Sequence, residues 1–170
     1  MSSTATIRPV RSADVPAVVA MVHELAEFER AADECHLTEE QLHSVLFGDR
    51  PALFGHVAVD EQGTPVGCAL WFLNFSTWEG VHGIYLEDLY VRPAARRTGA
   101  GAALLAALAA LCVERGYQRL EWVMLAWNPA RDFYAAVGAS VVDDWLPYRL
   151  SGPALHRLAE RACGTSTANR

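Results

Sequence analysis

Ile84-Tyr85-Leu86-Glu87-Asp88-Leu89-Tyr90-Val91-Arg92-Pro93-Ala94-Ala95-Arg96-Arg97-Thr98-Gly99-Ala100-Gly101 is the stretch from which the rest of the chain can be read. Ile84 to Val91 has the composition of a strand, with the polar pair Glu87-Asp88 interrupting an apolar run. Arg92 to Thr98 is a basic loop, and Gly99 to Arg115, rich in Ala and Leu, reads as a helix stopped by Gly116. A turn that feeds a strand into a helix leaves the first helical N–H groups unpaired. Glycines let that backbone approach an anion, and the helix dipole adds about half a positive charge. Arg92, Arg96 and Arg97 bring full charges. The turn therefore reads either as a cradle for a pyrophosphate or as a glycine-softened helix start with solvated arginines. A nicotinamide-binding turn is excluded, because Leu104 stands where that motif needs Gly or Ala, and no Gly-Lys-Ser or Gly-Lys-Thr marks an ATP-type loop.

Outward from this stretch the elements alternate. Upstream, Thr6 to Pro9 starts as a strand, and a helix follows with Ser12 as its N-cap, Pro16 in its first turn, and Val15, Val18, Val19, Val22 and Ala26 at helical spacing. Thr38-Glu39-Glu40-Gln41 matches a capping box, opening a helix that turns Leu42, Val45 and Leu46 inward. Leu53 to Val59 and Val66 to Phe75 flank a hairpin turn at Asp60 to Pro65, and Ser76 to Gly83 is a loop holding Trp78. Downstream, Arg119 to Leu125 reads as a strand, and Ala130 to Val137 as a short helix ended by Gly138 in a left-handed cap. Ser140 to Leu150 reads as a last strand region broken by Pro147, and Pro153 to Ala162 as a closing helix. The sum is an α/β (α+β) protein, a mixed sheet with helices on both faces.

The 170 residues fit a single domain over 1–164, with 165–170 as a flexible tail. With 52% hydrophobic and 20% charged residues, the chain can bury a sizeable core. A net charge of −6 without a Lys/Arg run speaks against nucleic acid as a partner. The most apolar stretch, Gly101 to Val113, is too short to span a bilayer, and Met1 to Thr6 has no features of a secretory signal. Cys35, Cys68, Cys112 and Cys163 are far apart, without a Cys-x-x-Cys pair, and the histidines show no ligand spacing. The expectation is a cytoplasmic protein with no metal and no membrane partner.

Arg96-x-x-Gly99-x-Gly101 after a strand ending Leu89-Tyr90-Val91 resembles the acetyl-coenzyme A signature of the GNAT acetyltransferases. More narrowly, the chain is similar to their diamine (spermidine/spermine) acetyltransferase branch. That resemblance rests on Ile7-Arg8-Pro9, Glu24-Leu25-Ala26 with Phe28-Glu29, Leu37-Thr38-Glu39, Tyr85-Leu86-Glu87-Asp88, Trp127-Asn128, Phe133-Tyr134 and Gly138-Ala139-Ser140. It runs from about Ile7 to Leu150 and implies the GNAT fold, a central, mostly antiparallel twisted sheet between helices. It implies acetyl-CoA as cosubstrate, with Leu89, Tyr90 and Val91 meeting the pantetheine arm through their main chain. The pyrophosphate would lie on Arg96, Arg97, Thr98, Gly99, Ala100, Gly101 and Ala102, and Asn128 would contact the coenzyme. Here the chain departs, since the family's Asn-to-Tyr interval is one residue longer than Asn128 to Tyr134. The resemblance also implies a homodimer.

Acetyl transfer to an amine needs a neutral nucleophile, a donor to the thioester oxygen and a proton for the departing thiolate. The resemblance makes Glu87 the residue that binds the amine and relays its proton, with Asp88 beside the groove if the strand is bulged there. Tyr134 becomes the general acid, a phenol being protonated at neutral pH. Phe28, Glu29 and Trp78 fall near the substrate, where aromatic faces attract cations. Toward the C-terminus only Tyr148-Arg149 aligns where the branch has a Trp-Arg pair, so the substrate expected is a short cationic amine, a diamine, polyamine or lysine-like amino acid. Two rivals stand beside this reading: acetylation of a protein or peptide amine, and a non-catalytic CoA-binding regulator.

Overall fold

The computed structural model describes residues 5–164, with side chains through 162; the expected tail at 165–170 lies outside that range. The chain divides into two compact units, one ending at Asn128 and the other starting at Pro129.

The first unit is built on a five-stranded sheet in the order β1 (Thr6–Pro9), β2 (Phe54–Val59), β3 (Pro65–Ser76), β4 (Val81–Val91) and β5 (Leu120–Glu121). Neighbours are antiparallel except β4 and β5, which pair in parallel. Asp60 to Thr64 closes the β2–β3 hairpin, the Asp60 carboxylate accepting from Gln62 N and Thr64 N. β3 and β4 run further toward each other than their composition suggests, so the expected loop shrinks to a turn over Thr77–Gly80, with Trp78 88% exposed.

Helices cover both faces. α1 (Val15–Phe28) and α2 (Glu39–Phe47) pack Val15, Val18, Met21, Leu42 and Leu46 against Val57, Val59, Cys68, Leu70 and Tyr90. Strand alternation turns the intervening residues to the other face, where Leu104 of α3 (Ala100–Arg115) comes up against Gly67. Each fully buried aliphatic side chain here contributes on the order of 2 kcal/mol.

Local chemistry explains the boundaries. Thr38 Oγ1 accepts from Gln41 N, and Gln41 Oε1 accepts from Thr38 N, closing the expected capping box. Gly116 ends α3 in a left-handed conformation at φ 71°. Ser12 is not the cap of α1. It opens a 3-10 turn over Ser12–Asp14, its hydroxyl meets His43 Nε2 at 2.9 Å, and Asp14 takes the N-cap position. Asp14 is instead a buried anchor: Arg8 donates to both of its oxygens and holds its carboxyl below the usual range.

The strand expected over Arg119–Leu125 is confined to Leu120–Glu121, tied to β3 by Asn74 Nδ2 donating to Glu121. Beyond it Val123 and Leu125 are exposed, without the burial that sustains a strand. The second unit contains α4 (Arg131–Ala136) and α5 (Gly152–Gly164), with Gly138 at φ 89° just past α4 as expected. Ser140 to Leu150 is not a strand; it is extended or turning chain, exposed except for its flank at Ala139.

Candidate functional site

β4 changes partners along its length. Its pairing with β5 covers Ile84 and Tyr85 and stops, so from Leu86 to Val91 the edge facing away from β3 has no strand beside it among the described residues. On the other edge Leu70 pairs with Asp88 and Trp71 with Leu86, leaving Glu87 as the extra residue of a β-bulge. The bulge inverts the alternation: Leu86 is buried with Trp71, whereas Asp88 falls in line with Leu70 and Tyr90 toward α1. Glu87 stays exposed at the kink. The strand is bulged here, which is the condition the sequence set on Asp88.

Asp88 is half-buried, and its carboxyl is raised to about 6 by burial first, then by the charges of Glu87 and Glu29. Glu29, at the end of α1, is itself raised by burial. Thus β4 and the end of α1 bring Glu29, Glu87 and Asp88 into electrostatic contact. Phe28 is exposed and lies 5.9 Å from the Trp127 ring. Trp78, in the β3–β4 turn, is exposed.

Past β4 the chain enters the turn. Arg97 at φ 62° and Gly99 at φ 90° are both left-handed, the alternation that makes a concave row of N–H groups. A side chain at Gly99 would touch nothing within 4 Å, so glycine is there for its backbone and not for space. Arg97 adopts the same region with a Cβ, at a cost of about 1–2 kcal/mol. Thr98 Oγ1 donates to Ala95 O at 2.8 Å and braces the turn, and Ala103 N donates to Gly99 O, the bond that closes the first turn of α3. The N–H groups of Ala100, Gly101 and Ala102 precede it in the unpaired first turn.

The arginines differ in their availability. Arg92, counted among the phosphate charges from sequence, is clamped to Glu24, with Nη2 to Oε1 at 2.9 Å and Nε to the same oxygen at 3.1 Å. It also donates to Pro65 O. That clamp ties α1 to the end of β4 and removes Arg92 from the turn's free charges. Arg96 donates from Nε to Val91 O at 2.9 Å, with its guanidinium over Phe28 and Tyr90. Arg97 is exposed.

Asn128 closes the first unit, its N–H bonded to Leu125 O. In the second unit Tyr134 is half-buried on α4, its ring 5.2 Å from Phe133 and its carbonyl accepting from Ala139 N. Among the described residues no group of His, Cys, Asp and Glu could hold a metal ion, and no helix is long and apolar enough to cross a membrane.

Sequence reading missed one feature, at the end of α1. Arg30 N donates to Glu27 O and Ala31 N to Ala26 O, a Schellman closure whose left-handed position, φ 61°, is filled by Arg30. Glycine is the residue favoured there, and an arginine costs about 1 kcal/mol. The guanidinium carbon lies 4.9 Å from the centre of the Trp127 ring. Glu27 to Ala31 contains no glycine or asparagine, so nothing in the sequence announces the left-handed residue.

Residues 19–139 match the model of the acetyltransferase (GNAT) family. The chain is 34% identical to thialysine N-epsilon-acetyltransferase of Bos taurus, over 90% of this chain and 96% of that protein. It is 30% identical to L-ornithine N5-acetyltransferase of Arabidopsis thaliana, over 89% and 86%. Among solved structures, an integron cassette protein from the mobile metagenome of V. cholerae superposes with a TM-score of 0.76 at 26% identity, covering 92% of this chain and 98% of that one.

Proposed function

Because the chain belongs to the GNAT acetyltransferase family, we propose that it transfers the acetyl group of acetyl-CoA to the side-chain amine of a lysine-like amino acid or a short diamine, by direct attack. The names of its relatives, a thialysine and an ornithine acetyltransferase, support an amine acceptor of about that size. In this reading the left-handed turn at Arg97 and Gly99 and the first amides of α3 take the pyrophosphate. The open edge of β4 at Leu89–Val91 lies along the pantetheine arm, and Asn128 belongs to the same coenzyme surface.

The observation that carries the proposal is the bulge of β4. It puts two adjacent carboxylates on the strand that leads directly into the phosphate turn, and it gives them different environments. Glu87, exposed, holds the ammonium group. Asp88 accepts the proton. A lysine-like ammonium has a pKa near ~10.4, so passing its proton to an ordinary carboxylate is uphill by roughly 9 kcal/mol. A carboxyl raised to about 6 removes about 3 kcal/mol of that climb, yet it is still mostly ionised at pH 7 and ready to accept. Direct attack then needs little beyond alignment. N–H groups of the Leu89–Val91 segment polarise the thioester oxygen, and the Tyr134 hydroxyl protonates the leaving thiolate. Phe28, Glu29 and Trp78 complete the acceptor side.

A panel of amines assayed with acetyl-CoA, reading free thiol, tests the proposal. Lysine, ornithine, their thioether analogues and short diamines should turn over, with peptide amines inert. Peptide turnover alone would replace the acceptor class, and coenzyme binding without turnover of any amine would make the chain a CoA-binding regulator. Replacing Tyr134 by Phe should lower kcat about a hundredfold while leaving coenzyme affinity within about twofold. The homodimer belongs to the same reading, supported by the exposed Val141, Val142, Leu146 and Tyr148 of the second unit, and sedimentation equilibrium tests it.

A further inference from the structure

Resting on an amine acceptor as just proposed, we infer that Arg30 is the specificity residue that selects an amino acid over a diamine, by binding the acceptor's α-carboxylate. Three observations converge on it. Arg30 fills the left-handed position of the Schellman closure of α1, where glycine is favoured, so its side chain is kept against the conformational preference of the backbone. Its guanidinium stands over the Trp127 ring. A guanidinium held to a ring by a cation–π contact spends none of its N–H groups on a carboxylate, and its N–H fork matches one in two parallel bonds. Among the described residues Arg30 has no carboxylate partner of its own, unlike Arg8, Arg92 and Arg119, each of which is paired.

Its neighbourhood supplies the other half of the recognition. Glu29 precedes Arg30 and is felt electrostatically by Asp88, so the cation stands at the border of the acidic group that receives the amine. Adjacent opposite charges at Glu29 and Arg30 match the ammonium and carboxylate of an amino-acid head, while the far amine reaches Glu87 and Asp88. A diamine offers no carboxylate to Arg30, so its second ammonium, which lysine also carries, lies near the arginine without the anion that offsets their repulsion. The Trp127 platform fixes the guanidinium, so little side-chain entropy is left to lose on binding.

The test compares lysine with cadaverine, the same chain without the carboxylate. In the unaltered protein lysine should be preferred, and lysine methyl ester should lose that preference. For Arg30→Gln the lysine-to-cadaverine ratio of kcat/KM should fall at least tenfold, through KM for lysine, and Arg30→Lys should restore part of it. Arg30→Gly guards against a folding artefact: it should raise the melting temperature, because glycine suits the left-handed position, and still lose the preference. An unchanged ratio in both Arg30→Gln and Arg30→Gly, or an unaltered protein that prefers cadaverine, would overturn the inference and leave amine acetylation standing. Turnover of neither compound by the unaltered protein would instead overturn the amine reading on which it rests.

Discussion

The turn at Arg96–Gly101 and the bulge at Glu87–Asp88 lie a few residues apart on one continuous run of chain, yet they are built from different material. The turn is made of main chain: two left-handed residues and the first amides of α3, with side chains that brace it or point to solvent. The bulge is made of side chains: two carboxylates, one exposed and one half-buried, whose difference arises from a single extra residue in the register. A site of main-chain amides tolerates most side-chain changes and fails when its dihedrals are disturbed. A site of carboxylates fails when one atom is changed.

Substitutions separate the two. The largest effect belongs to Asp88→Asn, which removes the proposed proton acceptor without changing shape and should lower kcat by a hundredfold or more, with coenzyme affinity unchanged by calorimetry. The same change should stabilise the fold. In the folded protein Asp88 is raised from 3.8 to about 6, so ionising it there costs more than in the unfolded chain. That penalty is absent below about pH 4, grows as pH rises, and is complete above about pH 6. Asparagine escapes it, worth of order 1–3 kcal/mol at pH 7.5, read as a higher urea midpoint. Loss of activity with loss of stability would point to a structural role instead.

Gly99→Val comes next. With nothing within 4 Å of the added Cβ and φ at 90°, the cost is conformational, about 1–2 kcal/mol, and coenzyme A affinity should weaken about tenfold as the turn rearranges. Thr98→Ala is the smallest. It removes a hydroxyl that braces Ala95 O but no amide, so coenzyme affinity should change less than about threefold. If Thr98→Ala weakened binding as much as Gly99→Val, the turn would be a side-chain site after all.

The same contrast governs how much the sequence disclosed. Main-chain features carry their own signatures: Thr38 and Gln41 announced a capping box, Gly116 and Gly138 announced left-handed helix ends, and the glycine turn pointed to the family that residues 19–139 match. Features that depend on a partner strand or a neighbouring ring were less legible. Glu87 and Asp88 could be named, but which carboxyl is buried depends on pairing with Leu70 and Trp71 on β3. Arg119 to Leu125 reads like a strand, yet pairing stops at Glu121, opposite Tyr85 and just short of the bulge in β4. Arg92 counted as a phosphate charge until Glu24, far away in the chain, was seen to hold it. Arg30 was invisible because its conformation is set by the hydrogen bonds that close α1.

The claim on which the chemistry depends is that Asp88, and not its exposed neighbour, takes the amine's proton, and the pH profile of kcat/KM tests it most directly. Protonated Asp88 cannot accept, so activity should fall as pH drops through about 6, and that acid limb should be absent from the residual activity of Asp88→Asn while persisting in Glu87→Gln. An acid limb that survives in Asp88→Asn and vanishes in Glu87→Gln would contradict the assignment.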